Sequence, residues 1–363
     1  MMTKKSVYWL CLGLVMSAFL AVSASVYFCY SWLHTPIATI SRGQSIDVPK
    51  GTSLYRVAAK LNSDGVLEWP RVWVQYAKLK SLTLIKAGEY QITAGVSPVD
   101  ILHQLHAGNV VKYHVTLVEG LTAQQYLQYL QLQPKLIHKV EASPTEALLK
   151  QLNLDGAHAE GWFFPDTYQF IKGDSDADIL TRAFNKMQQV LQEEWLQRAE
   201  NLPYKTPYDA LIMASIVEKE TGVGYERDMI AGVFVRRLEK NMRLQTDPTV
   251  IYGMGDSYSG NLRRSDLKTP TPYNTYTNKG LPPTPIAMPG REAIYAALHP
   301  AAGSELYFVA RGDGTHQFSD TLEEHEKAVQ QYQKKRTKNY RSAPPVVIED
   351  AVNDVITRQE NSE

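Results

Sequence analysis

The sequence predicts an α+β protein in three parts: an N-terminal transmembrane helix, a small β-α-α-β module and a larger mixed α+β domain. Three observations lead there. Although 21% of the 363 residues are charged, no Asp, Glu, Lys or Arg occurs from Ser6 to Ser41. Strand-like alternation and helical stripes then follow one another as β-α-α-β between Ile46 and Ile92. Beyond Leu117, capped helices are mixed with short strands, most plainly Leu306–Ala310 (LYFVA). At ~100–200 residues per domain the length fits two globular domains, each large enough to be held by its own core. The 38 basic and 38 acidic residues cancel. That removes the attraction on which nonspecific nucleic-acid binding depends, so no nucleic-acid partner is expected.

Residues 1–33 read as a cytoplasmic tip and a transmembrane helix. From Val7 to Leu33 the run VYWLCLGLVMSAFLAVSASVYFCYSWL covers ~40 Å as a helix, more than a ~30 Å hydrocarbon core. Tyr8 and Trp9 near its start, and Tyr27, Tyr30 and Trp32 near its end, stand where interfacial aromatic belts belong. Lys4 and Lys5 precede the run and no basic residue follows before Arg42. The positive-inside rule therefore puts the N-terminus in the cytoplasm and the rest of the chain across the membrane. A cleaved signal peptide is the competing reading, with Ser23-Ala24-Ser25 as its small-x-small site. Val26-Tyr27-Phe28 continues the apolar run directly after that site, which favours an uncleaved anchor. Both cysteines, Cys11 and Cys29, fall inside the run, so no disulfide is expected in the exported part.

Residues 34–45, with Pro36 and Gly43, read as a linker reaching at most ~40 Å when extended. Residues 46–116 form the module. Ile46-Asp47-Val48 alternates as a strand, Lys50-Gly51 turns, and Thr52 or Ser53 caps a helix through Leu61. Trp69–Leu79 carries a second helical stripe with Pro70 in its first turn, and Gly88–Ile92 is again strand-like. The segments VPKGTSLYRVAAKL and IKAGEYQI resemble the two ends of a LysM module, a small fold that binds N-acetylglucosamine-containing glycans. A structural spacer without a ligand fits the same order of elements. Ser97-Pro98-Val99-Asp100 then opens a helix with a cap, an N1 proline and a carboxylate at N3, and Val110–Val118 alternates as a strand into the next domain.

Residues 117–340 form the larger domain. Its long irregular stretch, Thr269–Gly290, interleaves prolines with tyrosines and threonines, and loops of that length are usually functional. Residues 341–363 are polar, with two prolines near their start, and are expected to be disordered.

The helix that carries most chemical information begins at Thr206, where Thr-Pro-Tyr-Asp supplies a cap, an N1 proline and an N3 carboxylate. From Ala210 to Val217 only Ser215 has a polar side chain, so this helix is buried almost all round before it delivers Glu218-Lys219-Glu220. A carboxyl at the end of a buried helix is desolvated and feels the negative end of the helix dipole. Both effects raise its pKa, as a general acid working near neutrality requires. Glu218 and Glu220 point about 200° apart and do not line one pocket together. Glu218 follows the face of Leu211, Ala214 and Ser215, and its small neighbours favour it over Glu220. The plainer reading is that both acids simply end a core helix in solvent.

Other chemistries find less support. The nine histidines include no His-Glu-x-x-His motif or Cys/His cluster, so no metal is expected. His325, in Glu-Glu-His-Glu, reads as part of an exposed charged helix. Ser265-Asp266-Leu267-Lys268 has the Ser-x-x-Lys form of an acyl-serine enzyme, but Pro270 and Pro272 stop the helix that such a motif needs.

Several blocks of residues resemble the YceG-like (MltG) family of endolytic murein transglycosylases over about residues 46–335. They are Glu160–Tyr168 (EGWFFPDTY), Ala214–Thr221 (ASIVEKET), Met242–Val250 (MRLQTDPTV), Tyr273–Tyr276 (YNTY), Gly280–Pro283 (GLPP), Pro285-Ile286, Pro289-Gly290 and His316–Phe318 (HQF). Arg236 and Met288 depart from the family's usual pattern. The resemblance implies cleavage, without water, of the β-1,4 bond between N-acetylmuramic acid and N-acetylglucosamine in nascent peptidoglycan. The products are 1,6-anhydro-muramyl ends, and the cut terminates strand elongation. It implies a single-pass anchor in the inner membrane, a periplasmic catalytic domain, no cofactor, and peptidoglycan synthases as possible company.

On this reading Glu218 is the catalytic acid. Gln245, Asp247, Asn274, Tyr276 and His316 are candidates to hydrogen-bond the sugars, and Tyr168 and Trp162 to stack on them. A core position for Trp162 and an Asx turn at Asp247 compete with those roles. Ordinary glycosidases use two carboxylates. Here the muramyl residue supplies its own nucleophile, so one acid suffices if water is kept out, which is work for the proline-rich loop. The alternative function is a noncatalytic glycan-binding scaffold beside the synthesis machinery.

Overall fold

In the computed structural model of the chain, residues 4–38, 43–141 and 145–333 are described. The tail from 341 to 363, read above as disordered, lies outside them. The chain divides into two units. The first holds the residues up to Tyr113 with Lys135–Ile137 and Gln169–Asp174, and the second holds the remainder. Residues 135–137 and 169–174 thus fall in the first unit and residues 114–116 in the second.

The first unit contains α1 (Lys4–His34), β1 (Gln44–Val48), α2 (Leu54–Ser63), α3 (Pro70–Leu79), β2 (Gly88–Ile92) and α4 (Pro98–Ala107). The β-α-α-β order is thus present, and β1 pairs antiparallel with β2 from Gln44↔Ile92 to Val48↔Gly88. Local chemistry accounts for the ends of these elements. Ser53 accepts the N–H of Arg56 at the start of α2, Pro70 stands in the first turn of α3, and Ser97 and Asp100 form a reciprocal capping box on α4. The core collects Leu61, Trp73, Tyr90, Ile92 and Leu105. Its two polar rings are satisfied, since Trp73 Nε1 donates to Pro98 O at 2.7 Å and Tyr90 Oη to Lys86 O at 2.7 Å. Glu89 binds the first added segment. It accepts from Ser45 Oγ at 2.6 Å, Tyr113 Oη at 2.7 Å and Lys135 Nζ at 3.1 Å, and these partners hold its pKa down to about 2. Lys172 pairs with Asp47 at 2.7 Å and brings in the second.

Among the described residues one helix, Tyr8–His34 of α1, is long and apolar enough to cross a membrane, with mean hydropathy 2.0. It runs unbroken through Ser23–Ser25. Its last turns and the residues up to Ile37 contact the module, while residues 39–42 of the stretch read as a linker lie outside the described residues. Leu33 is buried in the core of the first unit, the rings of Phe28 and Trp32 lie 5.0 and 5.4 Å from that of Trp69, and Ile37 N–H donates to Val96 O at 2.9 Å. The module therefore packs directly on the last turns of α1.

β3 (Lys112–Leu117) and β4 (Asp166–Ile171) form a two-stranded sheet. The second unit then adds α5 (Ala123–Gln131), α6 (Thr145–Gln151), α7 (Asp176–Leu196), α8 (Pro207–Glu220), α9 (Arg227–Glu239), α10 (Asp247–Met254), α11 (Arg291–Leu298), the antiparallel pair β5 (Tyr307–Ala310) and β6 (His316–Ser319), and α12 (Leu322–Tyr332). The centre is α8. Every residue from Ala210 to Val217 is buried, and the helix packs against α7, α9, α10 and α11. Thr206 and Asp209 cap it reciprocally, with Pro207 in its first turn. Thr269–Gly290 contains neither helix nor strand. Ser265 precedes and Lys268 ends a single 3-10 turn, Asp266–Lys268, too short to carry an acyl-serine motif on a helix. His325 is half-buried rather than exposed, its ring stacked 5.3 Å from that of Tyr307.

Candidate active site

Glu218 stands in the last turn of α8 with its side chain 7% exposed. Two loops enclose it. One runs through Glu119, Gly120 and Leu121, and the other is the end of the proline-rich stretch, Ile286–Gly290. They are tied to each other by Gly120 N–H to Met288 O at 2.8 Å and Met288 N–H to Leu121 O at 2.8 Å. The second loop is also tied to α8, because Ser215 Oγ accepts the N–H of Ile286 at 3.0 Å. The space that small residues leave beside Glu218 is thus filled by this loop. Gly161 lies under it, at φ 83°, where a Cβ would meet Pro285 Cγ at 2.5 Å. Only glycine fits both the left-handed backbone and that approach.

Glu218 Oε2 accepts the N–H of Gly290 at 3.0 Å, and Oε1 lies 3.8 Å from a guanidinium nitrogen of Arg227. Arg227 is also paired with Glu292. The carboxylate of Glu119 occupies the place that a Cβ on Gly290 would take. Lys219 Nζ donates to Gly120 O at 3.2 Å. Burial pushes the Glu218 carboxyl up to about 7. The Gly290 N–H opposes that shift, the charge of Glu119 adds to it, and Arg227 and Lys219 oppose it. A carboxyl of this kind holds its proton near neutrality and still has cationic neighbours to receive its charge.

Glu220 faces different neighbours, as two residues of helix require. Thr246 Oγ1 donates to it, burial pushes it up to about 7, Asp247 adds to the shift and Arg237 opposes it. Three of the expected sugar contacts lie on this side. Tyr276 Oη donates to Asp247 Oδ1 at 2.6 Å, and Gln245 adopts a left-handed φ of 53° with its N–H on Thr275 O at 3.2 Å. Gln245 and Asp247 are exposed and Tyr276 is half-buried. Asp247 is the first residue of α10, with its carboxylate turned to Tyr276.

The other three expected contacts are inside the protein. Asn274 has 0% exposure, and its Nδ2 donates to Asp266 O, Leu267 O and Thr269 O at 3.3, 3.2 and 2.7 Å while Oδ1 accepts from Tyr276 N–H at 2.9 Å. It clamps the proline-rich loop and offers no surface to a ligand. Tyr168 is buried with its hydroxyl on Phe164 O at 2.7 Å. His316 is buried with its backbone N–H and Nδ1 both on the carboxylate of Glu226, at 3.0 and 2.8 Å. Trp162 takes the core reading, stacked on Tyr208 at 5.7 Å.

Sequence reasoning did not single out Glu160, Glu119, Arg227 or the N–H of Gly290. Glu160, 1% exposed, accepts from Ala123 N–H at 3.0 Å and Tyr252 Oη at 3.1 Å, and burial pushes it up to about 7. Its one signal was its place at the head of the EGWFFPDTY block. Glu119, Arg227 and the N–H of Gly290 reach Glu218 from three separate stretches, and no local pattern links them. Of the two departures noted above, Arg236 donates to Ala301 O, Glu305 O and the Glu305 carboxylate, and Met288 Sδ accepts the N–H of Phe163 at 3.4 Å. Among the described residues no group of three or more His, Cys, Asp or Glu could hold a metal ion.

The profile of the YceG-like family matches residues 46–331. The chain belongs to the YceG-like family. It is 32% identical over 305 residues to a protein of Bacillus subtilis (strain 168) named endolytic murein transglycosylase, covering 79% of this chain and 84% of that one. It is 27% identical over 355 residues to the protein of the same name from Streptococcus pneumoniae serotype 2 (strain D39 / NCTC 7466), covering 86% of this chain but 64% of the longer relative. The crystal structure at 2.6 Å of a yceG-like protein from Listeria monocytogenes superposes with a TM-score of 0.51 at 29% identity, covering 79% of this chain and 98% of that one. The part of this YceG-like chain that matches the profile includes the whole of α8 and both loops around Glu218.

Proposed function

We propose that the chain is a membrane-anchored endolytic murein transglycosylase in which Glu218 is the general acid. The observation that carries this reading is the setting of Glu218: a carboxyl pushed up to about 7 by burial, meeting one backbone N–H and a guanidinium at 3.8 Å. Relatives that this chain is similar to bear the name of that activity. Glu218 protonates the oxygen linking N-acetylmuramic acid to N-acetylglucosamine, and the C1–O bond breaks. The muramyl C6 hydroxyl bonds to C1, closing the 1,6-anhydro ring, and its proton passes to the Glu218 carboxylate. The acid is thereby restored and no water is consumed. While it is ionised, the Gly290 N–H, Arg227 and Lys219 offset its charge. The loop at Ile286–Gly290, fastened to α8 and to Gly120, suits the exclusion of water that separates this product from a hydrolytic one.

A second reading gives the acid's role to Glu220, since Gln245, Asp247 and Tyr276 gather on its side. Glu218 is preferred because two cations, Arg227 and Lys219, offset its charge against one carboxylate, Glu119, whereas Glu220 has one cation, Arg237, against Asp247 and one hydroxyl as its direct partner.

In this scheme α1 spans the inner membrane with its N-terminus in the cytoplasm, the chain beyond α1 lies in the periplasm, and the β-α-α-β module serves as a LysM-like hold on glycan strands near the synthases. The test is incubation of the detergent-solubilised full chain with purified peptidoglycan and mass spectrometry of the products. The parent is expected to yield 1,6-anhydro-muramyl ends and Glu218→Gln to yield none. Equal yields would remove Glu218 from the role, and reducing ends instead of anhydro ends would make the enzyme a hydrolase.

A further inference from the structure

Between α1 and α3 lies a groove of about 450 Å³, within the ~300–1,000 Å³ of ordinary ligand sites. Each helix lines it with one stripe, positions 25, 26, 29, 30 and 33 of α1 and positions 71, 72, 75, 76 and 79 of α3. That shared spacing is one helix face over two turns. The lining is apolar apart from a few groups. It includes one cation, Arg71, and no carboxylate, and among the described residues Arg71 has no ion pair. Leu79 at its edge is 83% exposed and Tyr30 58%, apolar surface that would be costly to leave in water.

The depth of the groove says what covers it, on the reading above that α1 spans the membrane. Twenty residues from Tyr8 use the ~30 Å of hydrocarbon and end at Tyr27. Leu33, six residues later, is already in the core of the first unit. The groove, from Ser25 to Leu33, therefore starts in the last turn of the span and crosses the interface. Water does not fill its inner end. The rings of Phe28 and Trp32 against Trp69 put the first turn of α3, which carries Arg71, level with residues 28–32, just past the end of the span and at headgroup level.

We propose that this groove is a phospholipid site, with one acyl chain lying along the two stripes and the phosphate against Arg71. The occupant is a lipid of the leaflet at the C-terminal end of α1. The apolar stripe running inward from Arg71 suits the tail and the guanidinium suits the anionic head, and the site fixes the module on the membrane surface.

The full chain, reconstituted in vesicles of phosphatidylethanolamine and phosphatidylglycerol, is probed by electron paramagnetic resonance of phosphatidylglycerol spin-labelled on an acyl chain. A motionally restricted component is expected. Gln75→Trp, which projects an indole into the groove from an exposed position, should abolish it, and Arg71→Glu should reduce it several-fold. Carbonate extraction of the same vesicles reads the anchor separately. A chain washed off overturns the spanning reading and the proposal with it. A chain that stays embedded without a restricted component, or with one that Gln75→Trp leaves unchanged, overturns the lipid site alone. Disulfide-linked dimers through Cys29 under mild oxidation would put a second copy in the groove and also overturn it.

Discussion

Glu218 and Glu220 end the same helix two residues apart, and burial pushes both to about 7, yet their surroundings differ in kind. Glu218 sits between two loops, accepts one backbone N–H and has Arg227 and Lys219 at hand. Glu220 is held by a threonine hydroxyl beside another carboxylate. Glu160, raised to the same value, is fastened by a backbone N–H and a tyrosine. A raised pKa therefore marks three carboxyls without choosing among them. The choice rests on which one can lose its proton and be stabilised afterwards: two cations, Arg227 and Lys219, offset the charge of Glu218, whereas Arg237 alone does so at Glu220 and Lys219 alone at Glu160.

The largest effect that would break this comparison is on turnover. Glu218→Gln is expected to lose ~10²–10⁴ of activity, the usual contribution of a general acid. Glu220→Gln should stay within about tenfold, with product yield as the readout and an unchanged melting temperature as the control. The reverse order would transfer the acid's role to Glu220.

Stability comes next. A buried carboxyl whose pKa rises on folding favours the folded state while protonated. That contribution is complete below the unfolded value of 4.5 and is lost as pH rises through about 7. Glu160→Gln should flatten this decline by about 1–3 kcal/mol in urea unfolding followed from pH 4.5 to 8. An unchanged slope would mean that Glu160 does not carry it.

Asn274→Ala removes the donor shared by the carbonyls of Asp266, Leu267 and Thr269 where the proline-rich loop begins, and should cost about 1–3 kcal/mol, read by thermal melting. It acts on the Tyr276 side and should spare Glu218.

The smallest effect is the most discriminating. Activity of the parent should fall as pH rises through about 7, where Glu218 ionises. Glu119→Gln removes a charge that raises this pKa, so the descending limb moves to lower pH. Arg227→Gln removes one that lowers it, so the limb moves to higher pH. Each shift should be up to about one pH unit. Shifts in the same direction would contradict the arrangement around Glu218.

Much of the fold was legible because it is local. Caps at Ser53, Ser97 and Thr206, the first-turn prolines at positions 70, 98 and 207, and the β-α-α-β order all depend on residues within one turn of each other. The same holds for the divergence of Glu218 from Glu220, which follows from 100° per residue. What failed was inference from residue type. Asn274, Tyr168 and His316 are the right types to meet a sugar, but their polar atoms are spent on backbone carbonyls or on Glu226. Polarity does not say whether a partner comes from substrate or from within the protein.

By itself, then, the sequence determined the apolar α1, the buried α8 and a desolvated carboxyl at its end, since hydrophobic patterning and capping act over a few residues. Only the tertiary structure decided that Glu119, Arg227 and Gly290 converge on Glu218, and that Leu33 enters the core of the first unit. Those contacts join stretches far apart in the chain, and an apolar leucine fits lipid and protein equally well until the fold brings one of them to it.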